Sequence, residues 1–237
     1  MSQANLRRDL KAAGKPERVA FLQRYFKTGP GEYAEGDKLI GAYVGDCRAI
    51  ARRFRTLPID EVDDLLASAV HEERLVALLI LVEQFKRGDA ATRQRIYDLY
   101  LSRTKHINNW DLVDASAHHI VGAHLSGKDR GPLFKLARSD MLWERRIAML
   151  ATLHEIKGDE FETALAIAET LVNDGHDLVH KAVGWMLREI GKRDRRAADA
   201  FLERFAPTMP RTMLRYAVEK LPKATRQRYL QAARKAG

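Results

Sequence analysis

The chain has 237 residues, 46% of them hydrophobic, and carries 41 Lys and Arg against 32 Asp and Glu, for a formal net charge of +9. This hydrophobic content excludes an intrinsically disordered chain, and the length suits one packed domain over residues 1–237. The excess of positive charge favours a polyanionic partner such as nucleic acid, or else an acidic membrane surface. The single cysteine, Cys47, excludes an internal disulfide and a cysteine-based zinc site, and we expect it to be a small buried residue.

No apolar run approaches the roughly 20 residues that a membrane-spanning helix needs. The first 15 residues also lack the apolar segment of a secretion signal. We therefore expect a soluble, cytoplasmic protein without a membrane partner. We further expect it to act as a monomer, to need no obligate protein partner, and to associate with the nucleoid when it binds DNA.

Apolar residues recur every three or four positions along the chain, which predicts helices. The clearest case is a helix over 71–88 that ends at Gly88, and three further stretches have the same period: 142–157, 176–190 and 211–220. Clusters of glycine and proline separate the helical stretches at 28–37, 126–132 and 205–210. No stretch alternates apolar and polar residues for long enough to indicate a sheet, so the sequence predicts an all-α fold.

Similar segments recur about every 35 residues, an interval typical of HEAT or armadillo repeats. Corresponding positions, spaced by 36, 36 and 35 residues, are Arg74, Trp110, Arg146 and Lys181. Each has a partner four residues later on the same helix face: Leu78, Asp114, Leu150 and Trp185. The pattern predicts an α-solenoid of HEAT-like repeats with a basic, concave, shallow groove, in which we expect no pocket for a nucleobase. Leu78 and Leu150 would belong to the core.

Segment 107–119 carries an aromatic residue and two carboxylates at the start of a predicted helix. Asn108 or Asn109 would cap this helix, and Asp111 would lie in the first turn, where the helix dipole favours negative charge. Asp114 lies one turn deeper, on the face of Trp110, where aspartate is a poor helix former. It is either a solvated surface acid or a functional carboxylate.

The other two tryptophans have different surroundings. Trp143 is expected to pack between helices. Trp185 follows Gly184, which lets another group approach the backbone closely, and it lies among cations, so both sugar–phosphate contact and core packing are open. The basic residues of this half, among them Arg145, Arg146 and Arg188, are either solvated or contact phosphates.

Common catalytic and nucleotide-binding motifs are absent from the sequence, including the Walker A loop, GxGxxG, HExxH and GxSxG. The histidines of 118–124 have no Cys or Glu at ligand spacing, so we expect neither a metal nor an organic cofactor.

Three segments together, NNWDLVDASAHHIVG, LWERRIAMLATL and HDLVHKAVGWMLREIGKRD, resemble the bacterial family of AlkD-type DNA alkylation repair glycosylases. The resemblance extends from about residue 15 to about residue 230. It implies HEAT-like repeats around duplex DNA and metal-independent excision of 3-methyladenine and 7-methylguanine, with the base left stacked. It assigns the catalytic carboxylate to Asp114, the rings that flank the lesion to Trp110 and Trp185, and the arginine of the site to Arg146.

The same resemblance places an aromatic near the lesion at Tyr25 and DNA contacts at Arg48 and Arg52. With the basic residues of the second half, the full set expected to bind DNA is Tyr25, Arg48, Arg52, Arg145, Lys181 and Arg188. Two other hypotheses remain open. A non-catalytic protein that binds DNA structures would not need Asp114 beside both tryptophans, and a protein-interaction scaffold would show no salt-dependent affinity for duplex DNA.

Overall fold

The structure is a computed structural model that describes residues 2–235, including the side chains of residues 2–231. These residues form helices and turns, with no β-strand among them beyond an isolated parallel bridge between Lys38 and Val70. The all-α fold predicted from the sequence is confirmed. None of the described helices combines the length and apolar character required to cross a membrane.

Tertiary contacts divide the chain into two compact units, Met1–His124 and Leu125–Gly237. The expectation of a single domain over 1–237 stays a prediction. The helices of the first unit, in chain order, are α1 (Gln3–Ala13), α2 (Pro16–Phe26), α3 (Val44–Arg53), α4 (Ile59–Leu66), α5 (His71–Arg87), α6 (Ala90–Ser102) and α7 (Trp110–Ala117). A 3₁₀ turn, Thr104–His106, precedes α7, and a π-helical turn, His118–Gly122, joins it to the short α8 (Ala123–Leu125).

Helix α5 is the central helix of the first unit. It packs against α3, α4, α6 and α7, and apolar residues all around it, such as Val76, Leu78 and Ile80, are fully buried. A helix that is apolar on every side is stable only when neighbours cover every side. The predicted end of this helix is confirmed, because Gly88 donates its backbone N–H to the carbonyl of Gln84 as the C-cap.

The second unit contains α9 (Gly131–Ala137), α10 (Leu142–Ala151), α11 (Leu153–Ile156), α12 (Glu162–Thr170), α13 (Asp177–Gly191), α14 (Arg195–Phe205), α15 (Arg211–Ala217) and α16 (Lys223–Lys235). Its central helix is α13, which packs against α10, α12, α14 and α15. The predicted helix over 142–157 is divided into α10 and α11 at Thr152. Its hydroxyl donates to the carbonyl of Met149 at 2.7 Å, a local bond of the kind that competes with the helical pattern.

Gly184 allows α13 and α15 to approach closely. A Cβ at this position would lie 2.4 Å from the carbonyl oxygen of Met213 and 2.5 Å from the Cβ of Tyr216. The close approach expected from the sequence is therefore made by a neighbouring helix of the same unit.

We expect Gly184→Ala to destabilise the protein by about 1–2 kcal/mol net, because backbone atoms of α15 would have to move and overpacking this severe costs about 2–3 kcal/mol, the upper part of the usual range. Alanine's better helix propensity, about 1 kcal/mol, offsets only part of this cost. The measurement is the urea midpoint. Gly45→Ala is the matched control, since Gly45 is helical and a Cβ there meets nothing within 4 Å. An unchanged midpoint for Gly184→Ala would contradict the prediction.

Candidate active site and nucleic-acid interface

Helix α7 positions the two residues of the first unit that the sequence assigns to chemistry. Asn109 caps the helix: its side-chain oxygen accepts the N–H of Trp110 at 2.8 Å, and its amide donates to the carbonyl of Phe26 at 3.3 Å. Trp110 and Asp114 are four residues apart and therefore share one face of α7. Both side chains are partly exposed.

Trp110 and Asp114 border a cavity of about 430 Å³ within the first unit. The cavity was not predicted: aromatic side chains of α2 stand beside α7 and leave a hollow that a bare helical surface would lack. The expectation of a groove with no pocket for a nucleobase stays a prediction. The residues that line the cavity and that matter for its chemistry are Arg18, Phe21, Tyr25, Phe26, Arg48, His71, Trp110, Asp111 and Asp114. This volume lies in the range of about 300–1,000 Å³ found for ligand sites.

The aromatic side of the cavity is partly open to solvent. Tyr25 meets Trp110 edge to face with 5.5 Å between ring centroids, and Phe21 stacks on Tyr25 at 5.8 Å. Phe21 is 57% and Tyr25 is 51% exposed, so the outer faces of these rings are available to a partner. An exposed cluster of large apolar side chains usually marks a binding surface.

A buried ionic network lies beneath the cavity. His71 is 1% exposed, and its Nε2 is 2.8 Å from Oδ2 of Asp111 while its Nδ1 is 3.5 Å from Oδ2 of Asp37. Asp37 also binds Arg74 and accepts a hydrogen bond from the amide of Asn108 at 3.1 Å.

Opposing effects set the pKa values in this network. Burial alone would lower the pKa of His71, but the charge and hydrogen bond of Asp111, together with Asp37, raise it to about 9. Burial raises the pKa of Asp37, yet the nearby His71 ring, the charge of Arg74 and the hydrogen bond from Asn108 outweigh this and leave it lowered. At neutral pH the network therefore holds a protonated imidazole between two carboxylates.

Asp111 thus has a partner on another helix, which no pattern in the sequence predicts. It lies in the first turn of α7, as expected for an acidic residue whose charge the helix dipole stabilises. Its carboxylate also binds His71 of α5. A histidine in the first turn of α5, shortly before its apolar run, was the only local signal. Asp37, in the glycine-rich segment between α2 and α3, carried no signal.

Arg48 and Arg52 lie one turn apart on α3, and both side chains are exposed. Together with Lys86 and Glu83 they border a smaller cavity of about 90 Å³, and Arg48 also borders the larger one. Within the first unit, then, Tyr25, Arg48 and the Trp110–Asp114 face all line the same cavity.

The remaining residues of the predicted site belong to the second unit. Trp185 is partly exposed, and its indole N–H donates to Oε1 of Glu189 at 3.1 Å. Arg146 is 4% exposed and donates to the backbone carbonyl of Leu178. The three other cations form ion pairs: Arg145 with Asp174, Lys181 with Asp177, and Arg188 with Glu219.

Three expectations about individual residues are confirmed. Trp143 is 6% exposed and packs as a core residue, and Leu78 and Leu150 are fully buried. Cys47 is fully buried too, and burial raises the pKa of its thiol to about 12. Among residues 2–235 no group of three or more His, Cys, Asp or Glu side chains is arranged to hold a metal ion.

An excess of positive charge is typical of proteins that bind nucleic acid. The family model of the DNA alkylation repair enzymes matches residues 6–221, and the chain belongs to that family. Its role is therefore in the repair of alkylation damage, with DNA as the substrate.

The chain also resembles a solved structure from Enterococcus faecalis, described as a predicted DNA alkylation repair enzyme. The two share 16% sequence identity with a TM-score of 0.67 over 89% of this chain and 97% of the other, a likeness that shows a common helical-repeat fold. No curated protein sequence matches the chain.

Proposed function

We propose that this repair enzyme is a monofunctional DNA N-glycosylase. It hydrolyses the N-glycosidic bond of cationic alkylated purines, 3-methyladenine and 7-methylguanine, in duplex DNA and leaves an abasic site. The observation that carries the proposal is the position of Asp114: it shares a helix face with Trp110 and lines a cavity rimmed by exposed aromatic rings. A carboxylate repels phosphates, so its place beside these rings is better explained by a step in which positive charge develops than by phosphate binding.

The chemistry needs little beyond that carboxylate. Alkylation at N3 of adenine or N7 of guanine makes the base a cation, and when the glycosidic bond breaks, its electron pair moves to the base, which leaves neutral. No general acid is then required. Positive charge develops on the deoxyribose, where a fixed carboxylate stabilises the transition state. Water adds to C1′, and its proton passes to Asp114 or to solvent.

Aromatic faces would hold the lesion-bearing strand while the base stays stacked. Trp110 and Tyr25 would contact the deoxyribose, and we propose that Trp185 contacts the sugar–phosphate backbone. Contact with the developing cation adds about 0.5–2 kcal/mol for each ring. Arg146 is nearly buried, so we propose that its guanidinium acts on a phosphate mainly through its charge.

The direct test is release of bases from alkylated duplex DNA, with free 3-methyladenine and 7-methylguanine measured by chromatography. The proposal predicts both bases in solution and abasic sites in the DNA. Tight duplex binding without release would instead support the non-catalytic, DNA-binding hypothesis.

Exposed arginines of α3 are expected to contact phosphates. Each phosphate contact adds nearly one to the slope of log affinity against log salt. We therefore expect Arg48→Ala and Arg52→Ala each to reduce that slope by about 1 and to weaken binding alike for all DNA sequences. The measurement is titration of labelled duplex at several salt concentrations.

Arg95→Ala is the control for charge, because Arg95 lies on α6 in an exposed ion pair with Asp60. It should leave the slope unchanged. If wild-type binding is independent of salt, the scaffold hypothesis is favoured and the phosphate contacts are wrong.

A further inference from the structure

The first turn of α7 is tied to two other parts of the first unit by His71. Its two ring nitrogens face two carboxylates: Asp111 on α7 at 2.8 Å, and Asp37, in the segment between α2 and α3, at 3.5 Å. The other oxygen of Asp111, Oδ1, is buried and accepts no hydrogen bond from the described residues, so its charge is balanced through His71. Nδ1 makes no hydrogen bond within the described part of the chain, so Asp37 acts on the ring through its charge, whereas Asp111 is hydrogen-bonded to Nε2. Two carboxylates at these distances favour the protonated ring.

The same network fixes the residues that precede α7. Arg74 donates to the side-chain oxygen of Asn108 at 3.0 Å and to the carbonyl of Ser68 at 2.8 Å, and it also binds Asp37. Asn108 directly precedes the capping residue Asn109. Two successive residues before α7 therefore have their side chains bonded to other elements.

A stack of rings connects His71 to Trp110. The Phe26 ring lies on His71 with 4.5 Å between centroids and an interplanar angle of 29°, and it is 5.6 Å from the Trp110 ring. The Phe26 carbonyl accepts the amide of Asn109. His71 thus reaches α7 both through charge, at Asp111, and through packing, at Trp110.

We infer that His71 is a positioning residue, whose protonated ring holds the first turn of α7 so that Trp110 and Asp114 face the cavity. It does not touch DNA in this account. The inference rests on the proposed function for its consequence in catalysis, but its structural part, the hold on α7, stands independently of any activity.

The network should respond to alkaline pH. The charged groups that face His71 are Asp111 from α7, Asp37 from the α2–α3 segment and Arg74 from its own helix. The neutral thiol of Cys47 also lies near Asp111, together with Glu72 and Asp46. Burial lowers the pKa of His71 and the two aspartates raise it from 6.5 to about 9. The stabilisation from protonation is therefore complete below about pH 6.5 and is lost as the pH rises through about 9.

Two measurements on the full chain test the inference. The ¹⁵N NMR titration of His71 is expected to show a pKa near 9. The backbone amides of α7 should lose protection from hydrogen exchange with the same midpoint, after correction for the pH dependence of exchange in an unstructured peptide. The single-turnover excision rate should fall over the same range, measured against an enzyme-free blank. A His71 pKa near 6.5, or α7 protection that does not follow the titration, would overturn the inference.

Substitutions separate positioning from general damage to the fold. Asp111→Asn removes one carboxylate, so the alkaline fall in rate should move at least one pH unit lower, whereas Asp64→Asn, on the exposed side of α4, should leave it in place. His71→Gln should lower kcat about tenfold with KM unchanged. An unshifted profile for Asp111→Asn contradicts the inference, and if that variant does not fold, the wild-type titration decides.

Different results would contradict the proposed glycosylase activity and the positioning role of His71. If the wild type releases no base at any pH, the proposed function is wrong, while the NMR and exchange data still decide whether His71 holds α7.

Discussion

Asp114→Asn is expected to lower the single-turnover rate of 7-methylguanine release about 10²–10³-fold, the usual effect of removing one preorganised electrostatic contact to the transition state. Asparagine has nearly the same shape as aspartate, so Trp110 and the cavity should keep their geometry. What is lost is the negative charge that stabilises the cationic sugar. Affinity for duplex DNA should be unchanged or slightly higher, because a charge that repels phosphates is gone.

The matched control is Asp64→Asn, which makes the same chemical change at an exposed position of the first unit. It should retain the wild-type rate. Full activity of Asp114→Asn would show that the carboxylate has no catalytic role, and equal losses in both variants would point to a non-specific effect of charge.

The second large effect concerns the charge of the lesion. We expect a duplex with 7-methylguanine to lose its base at least about 10³-fold faster than a duplex with uracil or 1,N6-ethenoadenine, a difference of about 4 kcal/mol in barrier. The reason is that the proposed mechanism supplies no acid to protonate a neutral leaving group. Base release from each duplex under single-turnover conditions gives the comparison.

A neutral isostere provides the control for shape. 7-Methyl-7-deazaguanine has the outline of 7-methylguanine without its charge, so it should bind with similar affinity and remain intact. Excision of uracil at a rate comparable with 7-methylguanine would mean that selectivity does not come from the lability of a cationic lesion.

Local patterns in the sequence predicted the helical stretches 71–88, 142–157, 176–190 and 211–220 and a helix that begins within 107–119, which is fewer than half of the sixteen α-helices that the described residues form. The period of apolar residues located α5 and α13 to within one or two residues of their ends, because both helices bury wide apolar faces. The break at Thr152 was not predicted, since it depends on one side-chain bond within a continuous apolar pattern.

The site could be predicted only where it depends on neighbours along one helix. The shared face of Trp110 and Asp114 follows from their spacing of four residues. The cavity required Tyr25 and Phe21 of α2 to meet α7, and the bond from Asn109 to Phe26 joins residues 83 positions apart. No local pattern specifies such contacts, so the cavity and the partnership of His71 with Asp111 emerged only from the fold.

Binding of a charged sugar analogue measures whether Asp114 stabilises positive charge on the deoxyribose. A duplex with a pyrrolidine in place of the lesion nucleotide carries a cation where the sugar becomes cationic, and a tetrahydrofuran duplex is its neutral match. Transition-state analogues bind about 10²-fold or more tightly than ground-state ligands. The wild type is predicted to bind the pyrrolidine duplex at least about tenfold more tightly than the tetrahydrofuran duplex, and Asp114→Asn is predicted to lose that preference. Equal affinity of the wild type for both duplexes would contradict a stabilising role for Asp114.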